Sequence, residues 1–302
     1  MANPNIRIVI HKIICYTYYV AIYYEERSAN MKDVFSPWRV VMVGLLMATI
    51  CLGAAGCQNK NSPAVKDTLT VGMELSYPPF EMTDEKGSPK GVSVDLANEL
   101  GKVLGKKIVI QNTTFDGLIP ALKTGKIDII ISSMTITDER KQSIDFSDPY
   151  LTTGLCLLVG KKSPVKSIDD LDKPGITVAV KKGTTGHTFA TQNLKNAKLL
   201  VLDKEASAVL EVVQGKADAF IYDQMSTYQN WKKNQANTRA LLNPFQQEKW
   251  GIALRKGDDQ LKTQINQFLK SFREQGGFER LGDTHLKEQK EAFKELGYPF
   301  YF

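Results

Sequence analysis

The stretch ALKTGKIDIIIS (121–132) is echoed 90 residues later by EVVQGKADAFIYD (211–223). Each copy holds the end of a helix, then Gly-Lys, one residue, Asp, and an apolar run rich in β-branched or aromatic residues. A helix that stops at glycine and hands over to an apolar strand is the crossover of a βαβ unit, and its recurrence calls for two α/β halves of similar design. The flanking pattern agrees. TLTVGM (68–73) reads as a strand. Val94–Leu104 reads as a helix with Leu96, Ala97, Leu100, Val103 and Leu104 on one face and Gly105 as its stop. KIVIQ (107–111) and IDIII (127–131) are expected as strands, with a helix over Asp116–Thr124 between them.

Two such halves fit in 302 residues, since domains usually run to about 100–200 residues. The net charge of +6 is spread among acidic residues, without a basic stripe carrying interleaved aromatics, so no nucleic-acid partner is expected. His11, His187 and His285 stand apart from one another and from cysteine, so no metal or other cofactor is expected.

The N-terminal composition is that of a targeting segment. Residues 31–56 carry Lys32 and Arg39, an apolar run from Val40, and small residues ending at Gly56 before Cys57. This resembles a lipoprotein signal, in which Cys57 becomes the lipidated first mature residue and tethers an exported domain to a membrane. Residues 1–30 are expected to be a misassigned upstream extension, with translation starting at Met31; a genuine extra hydrophobic segment is the competing reading. Residues 57–66 read as the lipidated cysteine and a polar tether. Only Cys156 then remains, which precludes an intramolecular disulfide, and its setting in LCLLV marks it as a buried apolar residue.

Ligands of open α/β sheets bind beyond the carboxyl ends of the strands. The first copy of the repeat ends there in Ser132 and Ser133, followed by Thr135 and Arg140; the second ends in Tyr222 and Asp223. A cation and hydroxyls from one half facing a carboxylate from the other suit a zwitterion, and free α-amino acids are the common small zwitterions. An arginine fork takes both carboxylate oxygens at once.

The chain resembles the polar amino-acid-binding proteins of ABC importers, solute-binding family 3. The resemblance rests on YPPFE (77–81), GVSVDLANELGKVLG (91–105), FDGLIPALKTGKID (115–128), SMTITDERKQSIDFSDPY (133–150), GTTG (183–186), GKADAFIYD (215–223) and WGIALRKG (250–257). It departs from the family after Gly91, where Val92 and Ser93 replace the usual aromatic and acidic pair. The resemblance implies a two-lobed type II periplasmic-binding-protein fold, each lobe a central β-sheet flanked by helices, joined by a two-strand hinge. Lobe I would comprise 67–149 plus 251–290, lobe II 155–245, and the hinge 150–154 and 246–250, with a C-terminal extension at 291–302. It further implies a monomer that captures an amino acid by hinge closure and delivers it to ABC permease transmembrane subunits.

Residue by residue, the resemblance implies that Arg140 clamps the α-carboxylate, helped by Thr135 and by backbone amides near Ser133 and Thr185. Asp223 would accept the α-ammonium together with the Ser133 carbonyl. Tyr77 and Phe115 would sandwich the side chain, Glu74 would reach its far end, and Lys181 would approach from the other lobe. The Tyr77-Pro-Pro-Phe80 turn and the backbone N–H groups of the GTTG turn fit such roles on chemical grounds too. Glu74 with Lys181 favours glutamine, whereas Glu74 with Lys181 turned to water favours arginine or lysine. The same fold also hosts cyclohexadienyl dehydratases, and a receptor that presents its ligand to a sensor is a further alternative. The pairing of Arg140 with Asp223 argues for carriage rather than catalysis.

Overall fold

The Gly-Lys-x-Asp repeat marks matching places in two sheets. In the first copy, the Asp128 side chain accepts a hydrogen bond from the Thr70 N–H (3.0 Å), while the Asp128 N–H donates to the Thr70 carbonyl (2.8 Å). In the second, Asp218 accepts from the Thr177 N–H (2.9 Å) and donates to the Thr177 carbonyl (2.7 Å). Each aspartate thereby ties the incoming strand to the start of its parallel neighbour. These features come from a computed structural model that describes residues 67–298. The upstream extension, the signal, Cys57 with its tether, and residues 299–302 lie outside the described residues.

In chain order the first half contains β1 (Thr68–Met73), β2 (Ser76–Tyr77), β3 (Glu81–Thr83), β4 (Pro89–Lys90), α1 (Val92–Leu104), β5 (Lys107–Asn112), α2 (Phe115–Lys123), β6 (Ile129–Ile130), α3 (Asp138–Lys141) and β7 (Ile144–Phe146). The chain continues through β8 (Leu151–Gly160), β9 (Thr177–Lys181), α4 (Thr185–Asn193), β10 (Lys198–Leu202), α5 (Glu205–Val213), β11 (Ala219–Asp223), α6 (Gln224–Lys233) and β12 (Thr238–Trp250). It returns through β13 (Ala253–Arg255), α7 (Asp259–Glu274), α8 (Gly277–His285) and α9 (Lys287–Glu295). The first sheet has the order β5-β1-β6-β13-β7 and the second β10-β9-β11-β8-β12. In both, a parallel trio is followed by two strands that pair antiparallel, β13 and β7 in the first sheet and β8 and β12 in the second. Strand β6 lies parallel to β1 and antiparallel to β13, as β11 lies parallel to β9 and antiparallel to β8.

Strand β6 covers only Ile129–Ile130 of the apolar run IDIII, and Asp128 just before it makes the tie to Thr70. Helix α1 begins two residues before the expected start, directly after Gly91. The segments expected as the hinge are the paired ends of β8 and β12, with Leu151 opposite Trp250 and Gly154 opposite Gln247. The apolar core under the first sheet continues through Tyr150, Leu151 and Trp250 to Met225 and Tyr228. Burying aromatic surface at the crossing gives the lobes a shared apolar seam. Cys156 is fully buried, as its apolar surroundings predict.

The charged C-terminal stretch forms two helices. Phe278 and Leu281 of α8 join the core under the first sheet, and His285 meets Asp95 of α1 at 2.7 Å. The contacts reach further than lobe I: the Phe293 ring of α9 packs edge-on against Tyr228 of α6, with centroids 5.4 Å apart, and Glu288 pairs with Lys232.

Candidate functional site

Between the carboxyl ends of the two sets of parallel strands lies a cavity of about 40 Å³. On a scale where one water needs about 10–15 Å³, that is a small, well-defined space. Its walls include Glu74, Tyr77, Phe115, Ser132, Ser133, Thr135 and Arg140 from the first half and Thr185 and Asp223 from the second. Nine of the ten residues singled out for ligand binding thus share one cavity. Lys181 is not part of the lining; it stands against Glu74.

At one end is Arg140, carried by the single turn α3, whose N-cap Thr137 accepts the Arg140 N–H (3.2 Å). The guanidinium donates to the Thr135 carbonyl (2.6 Å) and, across the cleft, to the Gly183 carbonyl (3.0 Å). Burial lowers its pKa to about 10, which leaves it cationic at neutral pH. Opposite, the GTTG stretch starts α4: Thr184 caps the helix by accepting the His187 N–H (3.3 Å), and its hydroxyl donates to the Lys181 carbonyl (2.7 Å). The helix N-terminus and Arg140 together make this end electropositive. Gly186 is required by close packing, because a Cβ there would stand 2.8 Å from the Ile221 carbonyl oxygen.

Asp223 ends β11 and caps α6, accepting the Ser226 N–H at 3.0 Å. Burial pushes its pKa up to about 7, with the Ser226 N–H pulling the other way. A protonatable acid held away from water is a ready partner for an ammonium group, which supplies the missing counter-charge. Ser133 adopts φ 50, the left-handed region that a non-glycine residue seldom enters. Strain of this kind, about 1–3 kcal/mol, persists where the surroundings over-determine the backbone.

At the other end Glu74 and Lys181 form a buried ion pair that joins β1's end to β9's end across the cleft. The Glu74 N–H donates to the Ser132 hydroxyl (3.0 Å). Phe115 lies under both cations, its ring centroid 5.6 Å from the Arg140 guanidinium carbon and 5.4 Å from the Lys181 ammonium. Tyr77 stacks on Phe80 (5.4 Å) and meets Tyr222 and Trp250 edge-on, and its buried side chain interacts with Asp223.

A model of the bacterial extracellular solute-binding proteins, family 3, matches residues 69–288. The chain belongs to this family. It is 34% identical over 263 residues to a probable histidine-binding protein of Neisseria gonorrhoeae, spanning 84% of this chain and 98% of the relative. Among solved structures, an ancestral amino-acid-binding protein described as a precursor of cyclohexadienyl dehydratase superposes with a TM-score of 0.67 at 42% identity, over 72% of this chain and 95% of that one. An ancestral arginine-binding protein superposes with TM-scores of 0.69 with arginine bound and 0.68 with glutamine bound, at 36% identity over 73% of this chain. It is covered to 99% and 98% respectively.

In this family 3 protein the cavity also contains residues that sequence reasoning passed over. Glu81 is fully buried and accepts hydrogen bonds from Ser93 (2.6 Å), Ser133 (3.1 Å) and Ser132 (3.4 Å). Burial nevertheless raises its pKa to about 8. The departure after Gly91 has its meaning here: a carboxylate at Ser93 would face Glu81, whereas the serine hydroxyl donates to it. Glu248 accepts the Thr135 hydroxyl (2.9 Å) and the Gln246 amide (3.2 Å). Tyr222, Trp250, Thr184 and Leu155 complete the wall. Glu81 and Trp250 lay in quoted motifs, but nothing in their spacing marks them as facing inward. Among the described residues no group of three or more His, Cys, Asp and Glu side chains is arranged to hold a metal, and no helix is long and apolar enough to cross a membrane.

Proposed function

We propose that this protein is the substrate-binding subunit of an ABC importer, taking up a polar L-amino acid by hinge closure and passing it to membrane permease subunits. Glutamine is the favoured ligand and arginine or lysine the next. The observation that carries the reading is one cavity lined by Arg140, the α4 N-terminus and Asp223 together with Glu74, which is paired to Lys181. A neutral amide can accept from one member of that pair and donate to the other. An ancestral relative solved with arginine and with glutamine supports both candidates. Arg140 takes the α-carboxylate, Asp223 the α-ammonium, Tyr77 and Phe115 the stem of the side chain. Export as a lipoprotein anchored at Cys57, and action as a monomer, belong to the same proposal.

Isothermal titration of the purified protein from Gln58 onward, unfolded and refolded to strip carried-over ligand, tests the reading against the twenty amino acids. One-to-one binding of glutamine, lost in Arg140→Ala and Asp223→Ala, is the expected result; binding of none of them overturns it. Growth of a knockout on the ligand as sole nitrogen source separates import from presentation to a sensor. Membrane release on Cys57→Ser tests the anchor.

A second reading, a dehydratase, draws on two carboxyls that keep a proton near neutrality, Asp223 and Glu81, and on the likeness to a precursor of cyclohexadienyl dehydratase. Prephenate lacks an amine to meet Asp223, so turnover of prephenate absent from heat-killed controls would be needed to prefer it.

A further inference from the structure

Lys181 is one of the most deeply buried side chains of the second half, 1% exposed, and its ammonium carries three donors. Its carboxylate partner Glu74 belongs to the opposite lobe. A second carboxylate stands in its own lobe. Glu205 opens α5, the helix that packs against the strand bearing Lys181. One oxygen of Glu205 accepts from the Ser226 hydroxyl and from the Asn230 amide (2.8 Å). The other oxygen, Oε2, is buried without a hydrogen-bond partner. An unmet carboxylate oxygen away from water is destabilising by about 1–3 kcal/mol, and such groups in native proteins call for an explanation.

We propose that Glu205 is the second seat of Lys181: the ammonium sits on Glu74 when the ligand side chain is a neutral amide and withdraws to Glu205 when it is cationic, so that one cavity serves both classes. This rests on the amino-acid-binding reading and adds to it the residue that sets breadth. With Lys181 fixed on Glu74, a guanidinium or ammonium arriving there would meet a like charge and lose its counter-ion. With Lys181 on Glu205, Glu74 is free to pair with the ligand, and the lysine charge stays compensated by a group that opening of the cleft leaves in place. The Lys181 charge is already felt at Glu205, where it opposes the upward shift that burial imposes on the carboxyl.

Titration of the native protein with arginine and with glutamine is expected to give binding of both; glutamine binding without arginine binding overturns the exchange. Binding of no amino acid at all is the separate failure of the site reading. Glu205→Gln preserves the polar contacts to Ser226 and Asn230 but removes the charge. It is expected to weaken arginine by about tenfold or more while glutamine changes by less than about threefold. Equal losses for both ligands, or no loss, overturn the proposal. In a Lys181→Met background, Glu205→Gln is expected to leave the arginine-to-glutamine ratio unchanged, because the effect passes through the lysine. A ratio that still shifts means Glu205 acts on the ligand directly, contrary to the proposal. A crystal structure of the native protein with arginine needs no variant: Lys181 is expected on Glu205, and Lys181 still on Glu74 overturns the exchange.

Discussion

The guanidinium of Arg140 donates to the Gly183 carbonyl 3.0 Å away on the opposite side of the cleft. The group proposed to hold the α-carboxylate therefore also ties the lobes together. A lysine offers a point charge without the planar fork, so Arg140→Lys cannot meet the Thr135 and Gly183 carbonyls and two carboxylate oxygens together. Ligand affinity is expected to fall by about 2–5 kcal/mol in titration calorimetry. A loss below tenfold would count against Arg140 as the carboxylate clamp.

Asp223 is expected to make ligand binding pH-dependent. Its carboxyl, raised to about 7 by burial, must be ionised to pair with an ammonium group, so binding releases a proton below that pH. Affinity is expected to rise with pH from 6 to 8, by about tenfold for one proton. Calorimetry at pH 6.5 in two buffers of different ionisation enthalpy reports the release directly. Asp223→Asn is expected to bind weakly and without that pH dependence.

Glu81 links pH to stability with a sign that can be worked out. Burial raises its folded pKa from the ordinary 4.5 to about 8, so the folded state keeps a proton that the unfolded state gives up. The contribution is fully present below about pH 4.5 and is lost as pH rises through 8, with a slope of up to about 1.4 kcal/mol per pH unit. Urea unfolding of Glu81→Gln between pH 5 and 8 is expected to fall less with pH than that of the native protein. An equal slope in both would show that Glu81 is already ionised at pH 5.

Lys182 and Asp116 also bridge the cleft, at 3.0 Å, but on the surface: their side chains are 53% and 35% exposed. Exposed pairs contribute about 0–1 kcal/mol and are screened by salt. Asp116→Asn is expected to change ligand affinity by less than about threefold, and less still in 1 M NaCl. A larger, salt-independent loss would place Asp116 among the groups that hold ligand.

Gly186→Ala would drive a Cβ to 2.8 Å from the Ile221 carbonyl, in a helix pressed on the strand that ends at Asp223. Overpacking of this kind destabilises by about 1–3 kcal/mol. Thermal unfolding is expected to show that loss, together with weaker ligand binding, since α4 and β11 both border the cavity.

Most of the architecture was legible in the chain. The repeat at 121–132 and 211–223 corresponds to β6 and β11, placed alike in their two sheets, and its two aspartates perform one task. Arg140, Asp223 and the serine pair were legible for the same reason: they follow strands whose ends must point to one side of an α/β layer. Glu81 was not, although it stands in YPPFE, because a carboxylate on a short strand is normally solvated, and its burial depends on Ser93, Ser132 and Ser133 closing around it. Glu205 was hidden likewise: a glutamate in the first turn of a helix is ordinarily a favourable dipole partner facing water.

The sequence by itself determined the periodic elements, the two halves and the strand-end groups, because helix and strand periodicity and glycine stops act over a few residues. Only the tertiary structure decided that Glu74 meets Lys181, 107 residues away, and that Ser133 takes a left-handed backbone. It alone decided which carboxylates are buried. Those outcomes depend on how two lobes meet, and burial, desolvation and ion pairing across a cleft are properties of the assembled surfaces that no local pattern carries.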